Sequence, residues 1–175
     1  MAKNVGKVFE ESIKKSMPDH ILLIRLNDSP QAFKQSKLTR FTPKNPFDYI
    51  CFNTQTKKLF CLELKSTSNK YMGFEDINSN EKQNKMIHKH QIEGLLKCST
   101  YQNVVAGFLF NFRLDDNELT YFMEINQFQK MCDSINKKSF NILDAVLYGA
   151  KKIDGFKKRT RWYWNLDEFF EPQEN

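Results

Sequence analysis

Two short apolar runs, residues 47–52 and 59–65, are separated by six polar residues at 53–58. Both runs are rich in aromatic and branched side chains, too short for helices, and bounded by turn-forming residues, so they form a β-hairpin. With the turn centred between Gln55 and Thr56, antiparallel pairing brings together residues whose numbers sum to 111. Asp48 then faces Glu63. Side chains alternate along a strand, so Lys65 projects from the same face as Glu63.

Two carboxylates directly across a ladder repel one another unless something neutralises them. A bound cation would do so, whereas a solvated strand end bearing ordinary charges is the alternative for the same string. An oxygen-only, carboxylate-poor site suits Mg²⁺, with Mn²⁺ as the other candidate, because Mg²⁺ keeps several waters and takes one or two carboxylates plus phosphate oxygens. The chemistry expected of such a site is phosphodiester hydrolysis. The metal would lower the pKa of a bound water, and Lys65 would orient the nucleophile or stabilise charge in the transition state.

At 175 residues the chain has the size of one domain that buries a full core. Sixteen Phe, six Tyr and two Trp predict an aromatic-rich interior. No run approaches the roughly 20 apolar residues of a membrane span, and the first residues lack the apolar centre of a signal peptide. A cytoplasmic protein is expected. The four cysteines contain no CxxC pair, which disfavours zinc and a disulfide framework, and Cys51 and Cys61 are expected to be buried and reduced.

The net charge is +6. Lys34, Lys37, Arg40 and Lys44 precede the hairpin in a proline-punctuated stretch, Lys82, Lys85, His88, Lys89 and His90 precede or open a helix, and Lys151, Lys152, Lys157, Lys158, Arg159 and Arg161 crowd the C-terminal part. Any one cluster equally suits a solvated surface. Three of them along one domain point to a polyanion, with nucleic acid the favoured partner.

Apolar spacing predicts a helix over 4–17, with Glu10 at the margin of its apolar face and Glu11 on the far side. Residues 20–26 read as a central strand, and 27–46 as a long basic loop or short projecting stalk. Residues 66–86 read as a second mobile segment, followed by a helix over 88–98, strands over 104–112 and 119–125, helices over 126–136 and 140–151, and an aromatic strand over 161–166. The expected fold is α/β, a mixed central sheet flanked by helices. The whole chain, 1–175, forms a single domain with its core in 4–125 and a C-terminal extension over 126–175.

The order of these pieces resembles the PD-(D/E)XK nuclease superfamily, and within it the RecU-type Holliday-junction resolvases and their phage relatives. The matching residues are Gly6 with Phe9 and Glu10, then Asp48, Glu63-Leu64-Lys65, and His90-Gln91. The resemblance implies a restriction-endonuclease-like core, Asp48 and Glu63 as metal ligands, and Lys65 as the catalytic lysine. It also implies Glu10 beside the metal or its water, and Gln91 at the metal site or DNA backbone. His88 and His90 do not form a metal pair, because positions i and i+2 of a helix do not face one another; His90 would be a phosphate or outer contact and His88 a surface residue. Lys34, Lys37, Arg40, Lys44, Lys89, Lys158 and Arg159 would hold DNA backbone.

The implied activity is resolution of four-way DNA junctions by a homodimer. Cleavage of duplex DNA in restriction or repair, and DNA binding without cleavage in recombination, are the alternatives. Proline stands two residues before the aspartate, as Pro46-Phe47-Asp48, and residues 27–46 offer only a short version of the RecU stalk.

Overall fold

The computed structural model of the chain describes residues 5–26, 44–79, 83–115 and 117–171. A six-stranded mixed sheet forms its centre. Its strands are β1 (Ile21–Arg25), β2 (Tyr49–Asn53), β3 (Leu59–Thr67), β5 (Val104–Leu114), β6 (Asn117–Glu124) and β8 (Lys151–Ile153), side by side in that order. A short strand β4 (Met72–Gly73) lies outside this sheet and pairs with β7 (Ser139–Phe140). All neighbours in the central sheet are antiparallel except β3 and β5. That parallel pair needs a crossover, which α2 (Lys89–Ser99) supplies.

Helix α1 (Val5–Lys15) and the C-terminal α5 (Leu166–Phe170) cover one face of the sheet. There Phe9, Ile13, Leu62, Leu64, Phe122, Trp164 and Phe170 share one buried cluster. The other face packs beneath α2 and α3 (Ile125–Ser134), where Phe108, Phe110, Phe112, Phe128 and Phe140 form an aromatic core. The Phe108 and Phe128 rings lie 4.7 Å apart, tilted rather than face to face, as aromatic quadrupoles prefer. This is the mixed sheet flanked by helices that the sequence predicts.

The register of the first hairpin is the one expected: Tyr49 pairs with Leu62, Ile50 with Cys61, Cys51 with Phe60 and Phe52 with Leu59. Cys51 and Cys61 are buried free thiols, pushed up to about 12 chiefly by desolvation. Among the described residues no helix is long and apolar enough to cross a membrane.

Four expectations change. Residues 20–26 do not form a central strand: among the described residues β1 has a neighbour only in β2, and Leu22 and Ile24 are exposed. A run that is apolar on both faces does not by itself say whether both are covered. The described part of 66–86 is packed, since Met72 and Phe74 are buried and β4 pairs with β7. The helix expected over 140–151 is only α4 (Ile142–Leu147), ended by Gly149 at φ 97° and followed by β8. Finally, β10 (Arg161–Trp164) pairs not with the central sheet but with β9 (Gly155–Lys158) in a separate ribbon. The basic loop expected over 27–46 falls outside the described residues up to position 43.

Gly94 sits where α2 crosses the segment leading into β2, and a Cβ there would lie 2.3 Å from the Pro46 Cβ. In an open helix alanine would gain about 1 kcal/mol over glycine. Here the ring of Pro46 cannot yield as a flexible chain would, so overpacking, typically about 1–3 kcal/mol, decides the sign. Gly94→Ala is expected to lower the melting temperature by several degrees in a thermal unfolding scan, and to reduce activity by moving Pro46-Phe47-Asp48 off α2.

Candidate active site

Three backbone elements converge at one end of the β2–β3 hairpin. β3 carries Glu63 and Lys65 on the face covered by α2, while Leu62 and Leu64 point to the other core. Asp48 stands one residue before β2. Its backbone is held on both sides, with its N–H donating to the Leu62 carbonyl at 3.1 Å and its carbonyl accepting from Leu26 N–H at 2.8 Å. The ladder ends at this point because the side chain replaces the next rung: Leu64 N–H donates to Asp48 Oδ2 at 2.8 Å. Asp48 is therefore fixed beside Glu63 by β3 itself, but the two are not the direct ladder pair expected, since the regular pairing stops at Tyr49 and Leu62.

Glu63 is 2% exposed. Lys65 Nζ lies 2.8 Å from its Oε1, and Gln91 Nε2 donates to the same oxygen. Gln91 reaches it from the first turn of α2, and its amide has a defined orientation because Oε1 accepts the His88 N–H at 3.0 Å. One end of the amide satisfies the start of the helix, so the other must present its donor to Glu63.

Glu10 arrives from the opposite side of the sheet. Its Oε2 pairs with Arg25 Nη2 at 2.8 Å and makes no contact with Asp48 or Glu63 among the described hydrogen bonds, although its charge reaches both. Arg25, the partner of Glu10 at this border, is the residue that sequence reasoning overlooked. The only signal for it is a single arginine ending an apolar run.

Burial raises the Asp48 carboxyl above its ordinary range, against the opposing pull of the Leu64 N–H. Glu63 is raised from 4.5 to about 7, first by desolvation and then by Asp48, with Lys65 acting in the opposite direction. Glu10 and Arg25 balance each other, which leaves the buried Glu63 and half-buried Asp48 carboxylates against one ammonium. The hydrogen bonds described engage one oxygen of each carboxylate. Excess negative charge, an oxygen-only donor set and two carboxylates suit a hard divalent cation that retains water and takes its remaining ligands from phosphate. Among the described residues no group of three or more His, Cys, Asp or Glu gathers as a metal cage. The residues that would hold the ion are thus Asp48 and Glu63.

The basic residues expected at the site divide. His90 is half-buried, and desolvation followed by Lys44 and His88 holds its imidazole below the usual histidine range. It lies within electrostatic reach of Lys65. His88 is not helical: as the extended N-cap of α2 it stacks on His90 with centroids 5.6 Å apart, contrary to the expectation that the two rings do not face one another. Its Nδ1 lies 3.0 Å from Glu75 Oε1. Lys44 is exposed beside this helix start. Lys89 leans toward Glu93 at 3.9 Å. Lys158 and Arg159 lie on the β9–β10 ribbon, and Lys34, Lys37 and Arg40 fall outside the described residues.

No protein-family model matches the chain. Among solved structures it is similar to Hjc of Archaeoglobus fulgidus, a Holliday junction resolvase from an archaeal hyperthermophile, at 11% identity and a TM-score of 0.46, covering 86% of this chain and 95% of that one. Among curated proteins it is 38% identical over 181 residues to the SPbeta prophage-derived uncharacterized protein YotM of Bacillus subtilis (strain 168), a match that covers 95% of this chain and 85% of the relative. The chain belongs to the same protein family as YotM.

Proposed function

We propose that the protein is a Mg²⁺-dependent DNA endonuclease of the PD-(D/E)XK kind, acting on four-way junctions as a homodimer. The observation that carries this reading is the convergence of Asp48, Glu63, Lys65 and Gln91 at one end of the hairpin. A structural hairpin has no need of two desolvated carboxylates beside a lysine, since burying such charges costs stability.

A bound divalent ion would polarise the scissile phosphate and supply a water of lowered pKa. The protein's own groups do the rest. Leu64 N–H fixes the Asp48 carboxylate, and Gln91 and Lys65 fix that of Glu63, so the site is organised before substrate arrives. The Lys65 ammonium, held at Glu63, is placed to donate toward a phosphate oxygen as negative charge grows, or to hold the attacking water. The Glu10–Arg25 pair flanks the site on the α1 side and keeps a charged, hydrated border there. Two symmetric nicks across a junction require two sites, which a two-fold dimer supplies.

The test compares labelled four-way junction, linear duplex and single strand, each with and without Mg²⁺, for the native protein and Glu63→Ala. Symmetric junction nicks only with Mg²⁺ are expected from the native protein. Glu63→Ala should retain junction binding and lose cleavage. Undiminished cleavage by Glu63→Ala would overturn the site, and equal cutting of all three substrates would replace junction resolution by a general nuclease.

A further inference from the structure

We infer that the β9–β10 ribbon is a dedicated grip for the DNA backbone, a second contact surface set apart from the Asp48–Glu63–Lys65 cluster. This rests on the DNA substrate proposed above and adds where, and with which residues, the duplex is held.

The ribbon is small and lies outside the central sheet, yet its base is firmly built. Trp164 packs edge-on against Phe9 of α1 at 6.2 Å, and its backbone N–H donates to Ser16 Oγ at 3.0 Å. Asn165 N–H closes the base on the Asp154 carbonyl at 2.7 Å. Above it Trp162 stacks on Trp164, and Phe156 on Tyr163. An isolated two-stranded ribbon is marginal in water, so these contacts are what anchor it to α1.

The tip is where charge accumulates. Lys157, Lys158, Arg159 and Arg161 are all exposed, and none forms an ion pair among the described residues, whereas Lys137, Lys138 and Lys152 each have an aspartate partner. Lys158 and Arg161 are direct cross-strand partners. Like charges in that position destabilise a ladder unless an anion lies between them. Between them Arg159 holds φ 57°, the left-handed region where glycine would be at ease. Its guanidinium adds a third exposed cation at the turn, beside Lys158 and Arg161.

The anion is extended rather than a point. A groove of about 380 Å³ runs from the ribbon along α1, lined by Lys7, Lys15, Arg161, Trp162 and Tyr163, with Glu11 also on its wall. Glu10 on the same helix pairs with Arg25, and its charge reaches Asp48 and Glu63. Tip, groove and active site are thus linked by α1, whose diameter is about 10 Å. A polymer of phosphates can touch all three, whereas one phosphate group cannot. A two-stranded ribbon also has the width to enter a DNA groove.

The experiment is fluorescence anisotropy of a labelled duplex and a labelled four-way junction in EDTA across a salt series, so that binding is read without cleavage. The combined variant Lys158→Gln/Arg159→Gly/Arg161→Gln is expected to bind both DNAs about ten- to a hundredfold more weakly near physiological salt. The slope of log affinity against log salt should fall by about two to three, since each phosphate contact contributes about 0.9. The single variant Lys158→Gln should lower it by about one. Arg159→Gly alone should melt no lower than the native protein, which separates lost binding from lost folding. Unchanged affinity and slope in the combined variant would overturn the grip while leaving metal-dependent cleavage to its own test. Ribbon-dependent DNA binding with no cleavage in Mg²⁺ would leave the grip and overturn the nuclease. Ribbon-dependent binding to phosphatidylserine vesicles but not to DNA would also overturn the grip, in favour of a membrane surface.

Discussion

Glu63→Gln is expected to lower metal-dependent DNA cleavage by on the order of a thousandfold and, at the same time, to stabilise the metal-free protein. The first effect follows from removing an anionic ligand and one anchor of the Lys65 ammonium. The second follows from burial. Glu63 titrates near 7 in the folded protein instead of 4.5. Its folded value is raised, so below about 4.5 it is neutral in both states and costs nothing. As pH rises from 4.5 to 7 the unfolded chain ionises first, and folding stability falls. Above 7 the full penalty, about 3 kcal/mol at most, is present. Glutamine matches the shape, and its oxygen can still accept from Lys65 and Gln91. In EDTA at pH 8 the variant should therefore melt several degrees higher than the native protein, at about 2–4 °C per kcal/mol for a chain of this size. The gain should fade by pH 4.5. A variant that melts lower at pH 8 would mean that the buried carboxylate is already compensated by the protein alone.

The parts of this site legible in the sequence were those fixed by strand geometry. The hairpin register follows from the lengths of two apolar runs and the polar residues between them, and the alternation of side chains then puts Glu63 and Lys65 on one face. Gln91 was legible as a position on a helix, though not as a hydrogen-bond bridge, because its amide orientation depends on the His88 N–H, which only the start of α2 defines. Arg25 was hidden because its meaning lies in a partner fifteen residues earlier on a different element. The C-terminal part was the least legible. Apolar content around residues 140–151 suits helix or strand equally, and what divides them is Gly149 at φ 97° and pairing with β6, a contact distant in sequence. The exposure of β1 was missed for a similar reason: a strand carries no sign in its own residues of whether a neighbour lies on both sides.

Lys65→Met should abolish cleavage like Glu63→Gln, yet move stability in the opposite direction. Methionine keeps the stem's packing and deletes the ammonium bonded to Glu63, at 2.8 Å in the native protein. Removing one partner of a buried ion pair commonly costs about 3–5 kcal/mol. The loss here should be smaller, about 1–3 kcal/mol at pH 8, because a carboxyl already titrating near 7 can take up a proton instead of remaining charged. The deficit should shrink toward pH 5, where Glu63 is protonated with or without the lysine. Combining the two changes separates the causes. If the penalty is an uncompensated carboxylate, Glu63→Gln must stabilise the Lys65→Met protein more than it stabilises the native one, a coupling of about 1 kcal/mol or more between contacting residues. Simple additivity in urea unfolding at pH 8 would place the cost of Lys65→Met in packing. Appreciable cleavage by Lys65→Met would remove the lysine from the chemistry and leave its ammonium only the task of neutralising Glu63.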